Sequence, residues 1–293
     1  MAEVLNKGNL FDPVLVKDLI NKVKGKSSLA VLSGQKPIPF DGIEQFTFTM
    51  DNEIDIVAES GKKSHGGVTL KPVTIVPLKI EYGARVSDEF MYASNEAKIE
   101  ILKAFNEGFA RKVAKGLDLM AIHGINPRST EVSSIIGDNC FVKKVTQSVV
   151  FNDADPDANI EAAVGMVLGS EGEVNGLAMA PSFATSLAKL KVNGVKQFPE
   201  LAWGANPDTV RGLRADVNST VANGGKNKAI VGDFANAFQW GFAKTIPMKV
   251  IEYGDPDNSG NDLQGYNQVY IRAEAFLGWG ILAPEYFALV KEA

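Results

Sequence analysis

Ser87-Asp-Glu-Phe-Met-Tyr-Ala-Ser-Asn-Glu-Ala-Lys-Ile-Glu-Ile-Leu-Lys-Ala-Phe-Asn-Glu-Gly-Phe-Ala-Arg-Lys-Val-Ala-Lys-Gly-Leu-Asp-Leu-Met-Ala-Ile-His123 is the longest stretch of the chain with a helical period. At about 100° per residue, Leu102, Phe105, Phe109, Val113, Leu117 and Met120 share a stripe about 120° wide, and a stripe of that width needs a core to cover it. Glu89, Glu96, Glu100, Lys103, Glu107 and Asp118 gather on a second, polar face. Ala93, Ala97, Ile101, Ala104 and Gly108 form a third, mostly of small side chains, which predicts close approach of another element. Ser87 reads as an N-cap with acids in the first turn, where they offset the helix dipole, and Gly124 with Pro127 marks the end. At 1.5 Å per residue the pattern spans on the order of 50 Å, although Gly108 and Gly116 each weaken a helix by about 1 kcal/mol. The apolar positions drift instead of keeping strict heptads, so the stretch predicts a long helix lying across a sheet and not a coiled-coil arm.

Outward from that helix, composition sets the class. The chain has 293 residues, 45% hydrophobic and 22% charged, enough for one large or two modest folded domains. A net charge of −5 argues against a protein that coats nucleic acid over its whole surface, leaving local basic patches. No apolar run approaches 18 residues, so no membrane contact is expected, and the N-terminus lacks the hydrophobic core of a signal peptide. The single cysteine, Cys140, excludes an intramolecular disulfide and a multi-cysteine zinc site. His65 and His123 lack ligand spacing and read as surface or terminal residues.

Residues 1–36 carry apolar clusters, Leu10 with Phe11 and Val14 to Ile20, and then the basic run Lys22, Lys24 and Lys26, which together read as an arm with a short helix. From Pro37 to Pro77 the period changes to two. Phe46, Phe48 and Met50, then Ile54 and Ile56, and on the return Val68, Leu70, Val73 and Ile75 predict a long two-stranded hairpin with a flexible tip at Glu59–Gly67. An isolated hairpin is marginal in water, so one of this length predicts support from the body of the chain or from a neighbouring copy. The tip is not a phosphate loop, because Gly67 and Val68 stand where the pattern needs lysine and a hydroxyl. A strand at Val76–Val86 feeds the helix. Beyond it, a short β segment is predicted at Ile135–Val150, helices at Pro156–Leu168 and from Pro181, and strands at Gly176–Ala180, Gly212–Val217 and Lys228–Gly232. A second hairpin is predicted from Ile246–Tyr253 and Tyr266–Ala273, with Phe276–Val290 completing a core. The whole is an α+β chain.

This order of parts resembles the major capsid proteins of tailed bacteriophages, whose fold is shared by encapsulin shells. Three stretches carry the likeness: Asn175 to Leu190, with its strand, Pro181 and helix; Ile230-Val-Gly-Asp-Phe234 with Phe238 to Gly241; and Tyr266 to Glu274 followed by Gly278 to Leu282, Pro284 and Phe287. The resemblance covers most of residues 36–293 and implies the tailed-phage major capsid fold. In it, residues 1–36 are the N-terminal arm, 37–77 an extended loop that crosses a neighbouring subunit, and 78–129 a peripheral domain with the spine helix. Residues 130–245 are then a mixed α/β axial domain, 246–274 the returning peripheral hairpin and 275–293 the closing segment.

The implied function is structural: self-assembly through hexamers and pentamers into an icosahedral head around double-stranded DNA, in the virion, after assembly in the host bacterial cytoplasm. Scaffold, portal and decoration proteins are the further partners such a shell implies, and no cofactor is implied. An encapsulin-like compartment is the alternative shell. A soluble enzyme is the remote one, since no Ser-His-Asp order, His-Glu-x-x-His pair or dinucleotide fingerprint is present. Lys62, Lys63, Gly66 and Gly67 stand at the loop tip and are candidate inter-subunit contacts, the lysines alternatively being merely solvated. Lys22, Lys24 and Lys26 are candidates to face packaged DNA, or belong to a solvated arm. Asp255, Asp257, Ser259, Gly260 and Asn261 match positions 1, 3, 5, 6 and 7 of a calcium loop, but Tyr266 replaces the glutamate at position 12. The stretch therefore reads as a polar turn. If copies gather at a three-fold axis, Asp255, Asp257 and Asp262 are candidates to share a divalent ion there.

Overall fold

The structure, a computed structural model, describes residues 27–50, 52–93 and 95–293. The chain runs through a short helix α1 (Ser28–Leu32), a hairpin of β1 (Ile43–Met50) and β2 (Val68–Ile75), and strand β3 (Leu78–Ser87), and then enters the long helix α2 (Asn95–His123). β1 and β2 pair antiparallel from Ile43↔Ile75 to Met50↔Val68. Residues 52–67 form no strand, so the hairpin is paired over its base only, and Ile54 and Ile56 lie beyond the ladder.

The helix covers 29 residues and starts later than its sequence suggests. Ser87 does act as a cap, accepting from the Glu89 amide at 3.3 Å, but it caps the separate 3₁₀ turn Asp88–Tyr92. At the other end Gly124, at φ +69°, closes α2 with its amide on the Met120 carbonyl, as the Gly-Pro signal predicts. Leu102, Phe109, Val113, Leu117 and Met120 are all buried and Phe105 is half-buried, so the predicted core stripe holds. The small-residue stripe does not act as expected. Ile101 and Ala104 are exposed, and a methyl group at Gly108 would meet nothing within 4 Å. Close packing falls instead on Ala110, Ala114 and Ala121, all fully buried.

Under α2 lies a three-stranded antiparallel sheet in the order β11 (Phe238–Ile251), β12 (Gln268–Ile281), β3. These returning strands are 14 residues each, longer than the predicted pair, because the ladder begins at Phe238↔Ile281. Ala273, Ala275, Leu277 and Trp279 of β12 share a core with α2, and Tyr82 of β3 lies 5.9 Å from the Phe105 ring. The second sheet has six strands in the order β4 (Ser148–Val150), β13 (Phe287–Lys291), β10 (Asn227–Gly232), β5 (Gly176–Met179), β9 (Leu213–Val217), β8 (Thr209–Val210). Residues 135–147 are turns and the helix α3 (Phe141–Lys144) in place of the predicted β segment, of which only β4 forms. Helix α4 (Pro156–Gly169) has Pro156 in its first turn and Asp155 as its cap, and α5 (Pro181–Lys189) opens on Pro181. Phe141 joins the two sheets: its ring meets Phe287 at 4.9 Å and Phe238 at 5.4 Å, and Phe234 meets Phe287 at 5.2 Å.

The hairpin's base is seated on glycines of the three-stranded sheet. Ile38 and Ile75 are buried over Gly278 and Gly280, where an added Cβ would fall 3.0 Å from Ile38 Cδ1 and 2.7 Å from Ile75 Cγ1. The Lys36 amide donates to the Trp240 carbonyl at 2.9 Å, and a Cβ on Gly241 would lie only 1.8 Å from the Lys36 carbonyl oxygen. Backbone cannot yield as a side-chain tip does. Gly241→Ala is therefore expected to unseat residues 35–38 at a cost of about 3 kcal/mol, checked by thermal melting of the subunit. A melting temperature equal to the parent's refutes this seat.

Candidate assembly surfaces

The hairpin narrows where the Asn52 side chain accepts from the Gly67 amide at 3.2 Å and lies against Gly66. Lys62 and Lys63 beyond that neck, and Gly66 and Gly67 at it, are all exposed, as the sequence predicts for a tip. Ile54 and Ile56 are 95% and 96% exposed, and Phe46, Met50, Val68 and Leu70 of the paired strands are also exposed. Apolar surface of this extent, projecting from a folded body, is the mark of a contact surface and not of a monomer's exterior.

The second surface is the loop joining β11 to β12. Asp255 accepts from the Ser259 and Gly260 amides at 3.0 and 2.7 Å, with Gly260 at φ +82°. The calcium-loop geometry suggested by sequence is thus formed, but the cation inside it is Arg85 of β3. One guanidinium nitrogen lies 2.8 Å from Asp255 Oδ1, 2.6 Å from Asp257 Oδ1, 2.6 Å from Ser259 Oγ and 2.9 Å from the Asn261 carbonyl. Nε donates to Asp257 Oδ2 at 2.9 Å, and the other terminal nitrogen to Gln268 Oε1 at 3.2 Å. Hydrogen bonding to Arg85 holds the Asp257 carboxyl well below the usual carboxylate range. The expected trio is accordingly split. Asp255 and Asp257 share Arg85 within the subunit, while Asp262 accepts from the Gln264 and Gly265 amides. Among the described residues no group of three or more His, Cys, Asp or Glu side chains is arranged to hold a metal ion.

A third junction went unread in the sequence. Asp118, placed by periodicity on the polar face of α2, is fully buried. It accepts from Ser27 Oγ, from the Ser28 and Leu29 amides at 3.0 and 3.3 Å, and from Thr220 Oγ1 at 2.5 Å. Ser28 Oγ donates in turn to Asp216 Oδ2 at 2.5 Å, and Arg214 donates to the Val31 carbonyl at 2.8 Å. Helix α1 is thereby pinned between α2 and the six-stranded sheet. Burial pushes the Asp118 carboxyl up to about 6, against the four donors that favour its charged form. His123, one turn on, is half-buried beside the Thr220 carbonyl, with a ring nitrogen 2.8 Å away and its pKa lowered by burial. Lys22, Lys24 and Lys26 lie outside the described residues.

A subunit with a seated but projecting hairpin, a spine helix over one sheet and a second sheet closed by its last strand is built to be completed by copies of itself: it is a shell protein. The chain belongs to the phage capsid family, whose model matches residues 7–291. Among solved structures it is similar to one from Mycobacterium phage Ogopogo, with 36% identity, 92% of each chain covered and a TM-score of 0.78. It is also similar to one from Gordonia phage Cozz, with 25% identity, 92% of this chain and 87% of that chain covered, and a TM-score of 0.75. The fold extends to the capsid of an empty GTA particle, at 16% identity, 92% and 90% coverage and a TM-score of 0.64. No curated protein sequence matches the chain. The protein is a structural major capsid protein that builds an icosahedral head, and the encapsulin-like alternative is not favoured.

Proposed function

We propose that copies of this chain assemble, in the host bacterial cytoplasm, through hexamers and pentamers into a head that encloses double-stranded DNA, with no catalytic role. The observation that carries this reading is the hairpin, whose exposed Ile54, Ile56, Phe46 and Leu70 need a neighbour to cover them. In this arrangement residues 37–77 cross the adjacent subunit with Lys62, Lys63, Gly66 and Gly67 in the contact. Residues 78–129 and 246–274 form the peripheral domain, 130–245 the axial domain at capsomer centres, and 275–293 the closing segment. Lys22, Lys24 and Lys26 meet DNA phosphates as a salt-sensitive contribution. Scaffold, portal and decoration proteins are the further partners of such a shell. Electron microscopy of protein from its native source should show closed particles holding nuclease-protected DNA. Protein that stays monomeric at high concentration overturns assembly, and particles packed with protein in place of DNA overturn the genome reading.

A further inference from the structure

We infer that Arg85 is the built-in cation of the 255–261 loop and positions the β11–β12 tip for assembly without a metal ion. The loop places an Asp at position 1, an Asp at 3, a Ser at 5, a left-handed Gly at 6 and a main-chain carbonyl at 7, the arrangement that calcium loops use to gather oxygens round one point. All four oxygen acceptors, on Asp255, Asp257, Ser259 and the Asn261 carbonyl, lie between 2.6 and 2.9 Å from a single guanidinium nitrogen. Gln268 of β12 and the second Asp257 oxygen take the remaining donors. A planar guanidinium spreads its donors over several acceptors at once, which an ammonium cannot match, so lysine is a poor replacement here.

The placement of Arg85 explains why the loop needs no position-12 glutamate. It stands on β3, opposite Tyr270 of β12 in the ladder, so the strand pairing delivers the positive charge to the loop at a fixed height. Tyr270 lies over Gly83 on the same strand, where a Cβ would come within 2.0 Å of its hydroxyl, which keeps β12 in register beside Arg85. Tyr253 and Tyr266, at the two ends of the loop, are exposed. Amphipathic aromatic side chains on a rigid mount are effective contact residues, whereas on a loose loop they first have to be ordered. The role in assembly rests on the capsid reading; the role of Arg85 as the loop's cation does not.

The test uses the full-length chain as parent, as Arg85→Ala and as Arg85→Lys. Each is melted in buffer with chelator, with millimolar calcium chloride, or with sodium chloride of matched ionic strength, and scored for particles. The parent is expected to melt identically in all three. Arg85→Ala should melt lower and lose particle yield at least tenfold. It should also acquire calcium sensitivity, recovering part of its melting temperature with calcium and none with sodium, because the vacated oxygens are the hard ligands calcium takes, with second carboxylate oxygens and water completing its shell. Arg85→Lys should fall between the two. A parent shell that loses melting temperature with chelator overturns the inference, as does an Arg85→Ala protein that melts and assembles like the parent. An Arg85→Ala protein destabilised equally with and without calcium reduces Arg85 to an ordinary ion pair and also overturns it. A parent that forms no particles at all defeats the capsid reading instead, leaving the subunit melts to decide the role of Arg85.

Discussion

Asp118→Ala subunits are expected to lose about 4 kcal/mol of stability, a large share of the margin of a folded domain. Four donors converge on this carboxylate, and two of them, the Ser28 and Leu29 amides, are backbone groups with no freedom to turn toward another acceptor. Leaving a buried amide unpaired costs about 1–3 kcal/mol, and the vacated volume between α1, α2 and Thr220 adds to it. Because Leu29, Ala30 and Leu32 belong to the main core, release of α1 also exposes apolar surface. The check is denaturant unfolding together with proteolysis near residue 27, which should quicken as α1 detaches. Asp118→Asn keeps one acceptor and should cost less.

The two variants also separate charge from packing. The folded-state pKa of Asp118 is raised above its ordinary value of 3.8 to about 6, so its contribution to stability is fully present below 3.8 and is lost as pH rises through about 6. The stability difference between the parent and Asp118→Asn should accordingly shift in the parent's favour on going from about pH 7.5 to about pH 5. A pH-independent difference refutes burial as the dominant influence on this carboxyl.

Deletion of Glu59–Gly67 is expected to abolish particle formation while leaving subunit unfolding cooperative and within about 0.5 kcal/mol of the parent. The contacts of this segment with the rest of the hairpin are local, the Gly61 amide on the Ala58 carbonyl at 2.8 Å and the Gly67 amide on Asn52 at 3.2 Å, whereas the base is locked by Ile38 and Ile75 over the glycines of the sheet. Nine residues at roughly 3.3 Å each, shared between the two sides of the loop, withdraw the tip by about 15 Å. Sedimentation and microscopy read the assembly, and calorimetry reads the subunit. Normal particles from the deleted chain defeat the idea that the tip reaches a neighbour, and loss of cooperative unfolding shows that it belongs to the subunit's own core.

What periodicity could deliver, the sequence showed clearly. Five of the six residues in the apolar stripe of α2 are buried because one sheet covers that face along the helix. Failures came where a distant segment reverses what the local pattern says. Asp118 sits at nearly the same angle round the helix as Glu100 and Glu107, and for most of α2 that face meets solvent, but α1 covers its last turns and buries the acid. Arg85 was one charged residue in a half-exposed strand, and only the ladder that sets it beside the 255–261 loop reveals its use. The loop pattern itself was legible from its glycine and oxygen-bearing side chains, whereas the cation's identity was not, because Arg85 stands 170 residues earlier in the chain and is brought to the loop only by strand pairing. Ile135–Val150 misled because its apolar residues serve three purposes: Ile135 is exposed, Ile136 and Phe141 enter the core from turns and α3, and only residues 148–150 pair.

The position of β13 bears on how the chain is made. β4, formed from residues 148–150, has β13 as its sole ladder partner, and β13 also pairs with β10. While residues 287–291 are still inside the ribosome, the six-stranded sheet lacks its second strand, β4 has no neighbour to pair with, and the aromatic joint lacks Phe287. Synthesis therefore imposes an order: the hairpin and spine helix emerge early, but the six-stranded sheet closes only when residues 287–291 are released. A chain cut before residue 287 is therefore expected to keep this seam open and to stay out of particles when expressed beside the parent, and its incorporation at parental yield refutes this.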